Sequence, residues 1–135
     1  MALQYSVAVR NAKLDAVETA IGTDAVLKIR TGAPPADCAT ADSGTVLATL
    51  TLPTDYMAAA SGGTKAKSGT WQDTSADATG VAAHFRLYAS NGTTCHAQGT
   101  VTATGGGGDM TVDNTSFSTG QSFTVSTFTL TAGNA

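Results

Sequence analysis

Charge is what this chain has least of. Its 135 residues include seven Lys or Arg and ten Asp or Glu, 13 % in all, against roughly 25 % in an ordinary soluble domain. With a net charge of −3, the chain lacks the basic footprint that phosphate neutralisation requires, so no nucleic-acid partner is expected. Aromatics are scarce as well, at 6 %, which leaves few rings for stacking on sugars or bases. No apolar run approaches the ~20 residues of a helical membrane span, and "MALQYSVAVRNAKL" lacks the basic-then-apolar order and small-residue cleavage site of a secretory signal. No membrane partner is expected, and the product is expected to stay in the cytosol until it is assembled into something larger. Two cysteines, Cys38 and Cys95, are present. Neither lies in a C-x-x-C motif, and a cytosolic chain is expected to keep them as free, mostly buried thiols rather than as a disulfide.

Thr, Ala and Gly take the place of charge. Threonine joins β-branching to a short hydroxyl and suits the half-wet face of a strand. A surface poor in Lys and Glu has little rotamer entropy to lose and few charges to desolvate when a partner covers it. Composition alone fits a docking module and a small extracellular β-domain equally well. The length is that of one domain.

The pattern divides into residues 1–22, a helical segment, and 23–135, a β domain. In "SVAVRNAKLDAVETAI" (6–21), Val7, Leu14 and Ile21 recur one heptad apart, with Leu3 and Val17 on the same stripe, which predicts one amphipathic helix. Ser6 is placed to cap its start and Gly22 its end, while Arg10, Lys13, Asp15 and Glu18 occupy the other side. Strands are predicted over 24–31, 45–52, 64–73, 81–89, 94–103, 109–113 and 121–131; 54–63 is ambiguous between strand and loop. Pro34 and Pro35 forbid a ladder in the long loop 32–44. In the last strand Phe123 and Val125 are odd but Phe128 and Leu130 even, which calls for a bulge near Ser126 and Thr127. One helix followed by about eight short strands predicts an all-β fold: an antiparallel β-sandwich, jelly-roll-like, with one N-terminal α-helix.

The hairpin "VAAHFRLYASNGTTCHAQGTV" (81–101) carries both histidines and Cys95. Val81, Ala83, Phe85, Leu87 and Ala89 are expected to face the core. A three-residue loop Ser90–Gly92, with Gly92 left-handed, pairs Leu87 with Cys95 and Phe85 with Ala97. Cys95 then points inward, and His84, Arg86, His96 and Gln98 share a solvated or partner-facing polar strip. Two histidines without a third ligand do not make a zinc site. "GGGG" (105–108) is not followed by G-K-[ST], no Ser sits in G-x-S-x-G, and no carboxylate pair is suggested by spacing. No catalytic residue, metal ligand or cofactor site is therefore assigned. Trp71 reads either as an interface anchor or as a core residue under the helix. Candidate interface residues are Tyr5, Arg10, Lys13, Tyr56, Trp71, His84, Arg86 and His96.

The stretch "HFRLYASNGTTCHAQGTV" followed by "GGDMTVDNTSFSTGQSFTVSTFTLTAGNA" resembles a pattern in small proteins from the head-gene regions of tailed bacteriophages. The matching features are an F-R-L-Y strand, a return strand ending in G-x-V, a G-D-[ML]-x-[LV]-D hairpin and a terminal G-Q-x-[FV]-T-V-x-x-F-T-L strand. "LKIRTGAPPADCATADSGTVLATLTL" resembles the first half of the same proteins. Some of these are capsid cement or decoration proteins with a jelly-roll fold. The resemblance implies a non-enzymatic virion protein, made in the host cytoplasm, that binds the major capsid protein on the capsid exterior and self-associates as a dimer or trimer. The alternative is a carbohydrate- or receptor-binding β-sandwich on a phage particle; a small hydrolase is a third reading, with least support.

Overall fold

A computed structural model describes residues 3–134. One helix, α1 (Val7–Ile21), precedes ten strands: β1 (Val26–Arg30), β2 (Val46–Thr51), β3 (Thr64–Ala66), β4 (Gln72–Asp73), β5 (Gly80–Val81), β6 (His84–Tyr88), β7 (Cys95–Ala103), β8 (Met110–Val112), β9 (Ser116–Phe117) and β10 (Phe123–Thr131). The protein is mostly β, as the alternating pattern requires. Eight strands form one sheet in the order β2-β1-β6-β7-β8-β10-β3, with β4 also on β10, and β5 pairs with β9. Neighbours are antiparallel except β7 and β8, which run parallel.

The sheet curls around its core. Phe85 of β6 meets Phe128 of β10 edge-to-face at 5.4 Å, although two strands separate them along the sheet. At the far end, the Thr49 amide of β2 donates to the Asp73 carboxylate of β4. Leu27, Ile29, Leu47, Leu50, Phe85, Leu87, Met110, Val112, Phe123 and Val125 fill the interior. The phase slip in β10 is a bulge: register shifts between Val125 and Thr127, so that Val125 and Phe128 are both buried.

The caps of α1 are those the sequence predicts. The Ser6 hydroxyl accepts from the Val9 amide, and the Gly22 amide, at φ +87°, donates to the Glu18 carbonyl. The face that docks differs. Leu14 and Ile21 are buried, but Val7 and Leu3 of the predicted stripe are 48 % and 74 % exposed. The helix is turned so that part of its polar side meets the sheet, because β3 offers a cation there. Lys65 donates to Asp15 and Glu18 at 2.8 Å each and to the Ala58 carbonyl. Arg10 donates to the Ala132 carbonyl, and Asn11 accepts from the Gly63 amide. A largely uncharged strip, Ala8, Val9, Ala12, Lys13, Ala16, Val17 and Ala20, is left facing outward.

A buried charge network under the 31–45 strap

Beta-6 has alternating chemistry, yet all five of its residues are buried. The odd positions Phe85 and Leu87 face the core, but Val81, expected in the same row, lies on β5 and is 61 % exposed. The even ones, His84, Arg86 and Tyr88, face outward and are covered by the chain's own segment 31–45. With two prolines that segment forms no ladder, so its carbonyls need other donors, and the outer face of the sheet supplies them. Arg86 donates to the carbonyls of Asp37 and Thr40 at 2.8 and 3.0 Å, Gln98 to Pro35 at 2.6 Å, and Arg30 to Gly44 at 3.4 Å. The Nδ1 of His84 lies 2.7 Å from the Gly32 carbonyl; a carbonyl only accepts, so the proton sits on Nδ1.

Asp42 is the anion of this network. One oxygen accepts from Arg86 and from the Tyr88 hydroxyl at 2.7 Å; the other accepts from Arg30 at 2.9 Å. Burial pushes the Asp42 carboxyl up, but the Tyr88 and Arg86 hydrogen bonds and the two guanidinium charges outweigh it and hold it below 3.8. Burial lowers the His84 pKa; the Gly32 bond opposes this, the Arg30 and Arg86 charges add to it, and the net value lies below 6.5. Burial, with the Asp42 hydrogen bond, raises the Tyr88 hydroxyl. His84 Nε2 and Arg30 Nε are buried without a partner.

The hairpin register departs from expectation twice: the expected pairs Leu87–Cys95 and Phe85–Ala97 are each displaced by two residues, because the turn is longer than Ser90–Gly92, and a bulge decides where Cys95 goes. Phe85 pairs with Gly99 and Leu87 with Ala97, but Tyr88 pairs with Cys95, with the register shift between Leu87 and Tyr88. The turn closes through Ala89 and Thr94, with Gly92 at φ +70° as expected. Odd residues pair with odd ones up to Leu87, as predicted. The bulge at His96 then reverses the parity. Cys95 therefore joins Tyr88 on the outer face and does not point inward. Both cysteines are free and half-buried, with their sulfur atoms 2.7 Å apart.

The eight candidate interface residues separate accordingly. Tyr5, Lys13 and His96 are exposed and Arg10 is half-buried. Tyr56, Trp71, His84 and Arg86 are buried, a correction to their expected place at a surface. Trp71 takes its core alternative: it packs on Phe128 at 5.6 Å and Tyr56 at 6.3 Å, and its indole N–H donates to the carbonyls of Tyr56 and Ser68. Burial, with the nearby Glu18 charge, pushes the Tyr56 hydroxyl up to about 12. His84 and Arg86 are partner-facing, but the partner is the strap. His84 pairs with Thr100, so the two histidines do not converge. Among the described residues no group of three or more His, Cys, Asp or Glu is placed to hold a metal, and no helix is long and apolar enough to cross a membrane. A surface cleft of about 500 Å³ beside α1, lined by Asp15, Glu18, Asp55, Tyr56 and Lys65 among others, has its one cation already bound to three acceptors.

All seven cations are engaged within the chain. Arg10, Lys28, Arg30, Lys65, Lys67 and Arg86 each donate to a carbonyl or carboxylate, and Lys13 lies over the Tyr5 ring at 4.6 Å. Sequence reasoning missed the role of Asp42, Gln98 and Lys65. The available signal was a strand whose outward residues are long donors, together with an earlier loop whose two prolines leave carbonyls without a ladder. Comparison with known proteins finds no matching family model, no matching curated protein and no matching solved structure.

Proposed function

We propose that this chain is a structural, non-enzymatic virion protein: a capsid cement or decoration protein of a tailed bacteriophage. It binds the outer surface of the head, stabilises contacts between major capsid protein subunits, and self-associates as a dimer or trimer. The curled, antiparallel-dominated sheet is in this reading a two-layer sandwich of jelly-roll type. The observation that carries the proposal is the internal use of all seven cations. What remains for a partner is a surface of hydroxyls and small apolar groups with scattered exposed carboxylates such as Asp24, Asp55 and Asp113, poorer in charge than an ordinary domain's and so desolvated at lower cost. The outward strip of α1, from Ala8 to Ala20, belongs to it. A cement protein needs only modest affinity per copy, because symmetry repeats the contact across the shell. The head-gene sequence resemblance supports the same reading. The carbohydrate-binding alternative keeps one exposed ring, since of the eight aromatic residues only Tyr5 lies outside the buried set.

The test is co-sedimentation of the purified protein with expanded phage heads that lack it. Saturable binding, with increased resistance of the heads to heat, is expected. Ala12→Arg and Ala16→Glu, on exposed helix positions, are expected to abolish binding while leaving unfolding unchanged. Wild-type protein that stays in the supernatant, or heads no more heat-resistant with it than without, overturns the proposal.

A further inference from the structure

We propose that Cys38 and Cys95 are a covalent modification site: the pair closes to an intramolecular disulfide that fastens the 31–45 strap to β7. The sulfur atoms lie 2.7 Å apart, so closure needs them to approach by less than about 1 Å to reach bonding distance. They are held in place from both sides. Cys38 sits between Asp37 and Thr40, whose carbonyls both accept from the buried Arg86 guanidinium. The Asp37 carboxylate also accepts from the Thr40 amide and hydroxyl at 2.8 Å each, which fixes the turn carrying Cys38. Cys95 is turned toward the strap by the bulge opposite Leu87 and Tyr88. The chain contains no other cysteine, and among the described residues no third ligand joins the pair to make a metal site. Disulfide pairing is therefore the chemistry left to them. Both residues keep partial exposure.

The oxidant is a low-molecular-weight disulfide such as oxidised glutathione. One cysteine thiolate attacks it, forming a mixed disulfide on the protein and releasing one glutathione thiolate. The second cysteine thiolate attacks the protein sulfur of that mixed disulfide, forms the Cys38–Cys95 bond and releases the second glutathione. The protein loses two protons and two electrons, and one oxidised glutathione becomes two reduced ones. The pairing stands without the capsid reading. On that reading its timing follows: the pair stays reduced in the host cytosol and closes after the particle is released.

The test equilibrates purified protein with oxidised glutathione, then alkylates and peptide-maps it under non-reducing conditions. A Cys38–Cys95 cross-linked peptide is expected, with the unfolding midpoint about 10 °C above that of the reduced protein and slower hydrogen exchange in residues 32–44. Cys38→Ser and Cys95→Ser are each expected to unfold like the reduced wild type and to show no shift on oxidation. Reduced wild type serves as the reference should either variant fold poorly. Two thiols still open to alkylation, stable glutathione adducts, or disulfides between chains would each overturn the assignment. None of these outcomes bears on whether heads are bound, so the two proposals fail separately.

Discussion

Removing the charge of Asp42 is expected to unseat the strap. Asp42→Asn keeps the side chain's shape but leaves the Arg86 and Arg30 guanidiniums, 2 % and 7 % exposed, with no anion. Breaking a buried ion pair from one side costs about 3–5 kcal/mol, and a pair near 4 Å in surroundings of effective dielectric 20 is worth about 4 kcal/mol. The Asp42 side chain is itself 39 % exposed, so water screens part of that interaction, and exposed pairs fall to about 0–1 kcal/mol. Between these limits the expected loss is about 2–3 kcal/mol. For a domain of this size that lowers the midpoint of thermal unfolding by about 10 °C, readable by circular dichroism at pH 7. Arg86→Met in the same background should recover part of the loss, because it removes one stranded charge. The pH dependence gives a second readout. The Asp42 carboxyl titrates below 3.8 in the folded state, so its contribution is complete above that value and is lost as pH falls through the lower folded value. Asp42→Asn should flatten that acid limb. A loss below about 0.5 kcal/mol, the range of ordinary surface changes, with an unchanged acid limb, would refute the network as the strap's anchor.

Three further outcomes are expected. His84 titrates below 6.5 when folded, so stability should fall as pH drops from 6.5 toward that lower value; His84→Asn should remove this slope in unfolding curves taken between pH 7 and 5, and an unaltered slope would assign it to another group. Trp71, the sole tryptophan and 1 % exposed, should emit at short wavelength, resist acrylamide quenching and shift to the red only on unfolding; red-shifted, readily quenched emission from native protein would place it outside the core. Gly44 has φ +74°, and a Cβ there would collide with the Thr31 backbone carbonyl; Gly44→Ala should cost more than 1 kcal/mol in urea unfolding, whereas Gly120→Ala, where a Cβ meets nothing within 4 Å, should cost less.

Much of the fold was legible because local chemistry carried it. The Ser6 and Gly22 caps, the odd-inward phase of β6 and the bulge at Ser126 all follow from residue type and period. The short pair of β5 and β9 was not predicted as a separate element. Two residues each leave no period to read, and their pairing depends on contacts distant in sequence. The 54–63 stretch, ambiguous by pattern, holds only isolated bridges at Met57 and Ser61.

Sequence alone determined that this is a mostly β chain with one capped helix, few charges and an outward polar row on β6. Tertiary structure decided what covers that row. An alternating strand specifies which side each residue faces but not whether water, another molecule or the chain's own loop meets it. Loop 31–45 met it because carbonyls without a ladder and guanidiniums without a solvent shell satisfy one another, and the sequence separation between them conceals that match. The same reason explains Cys95: a single bulged residue reversed its side, and the strap brought Cys38 to it.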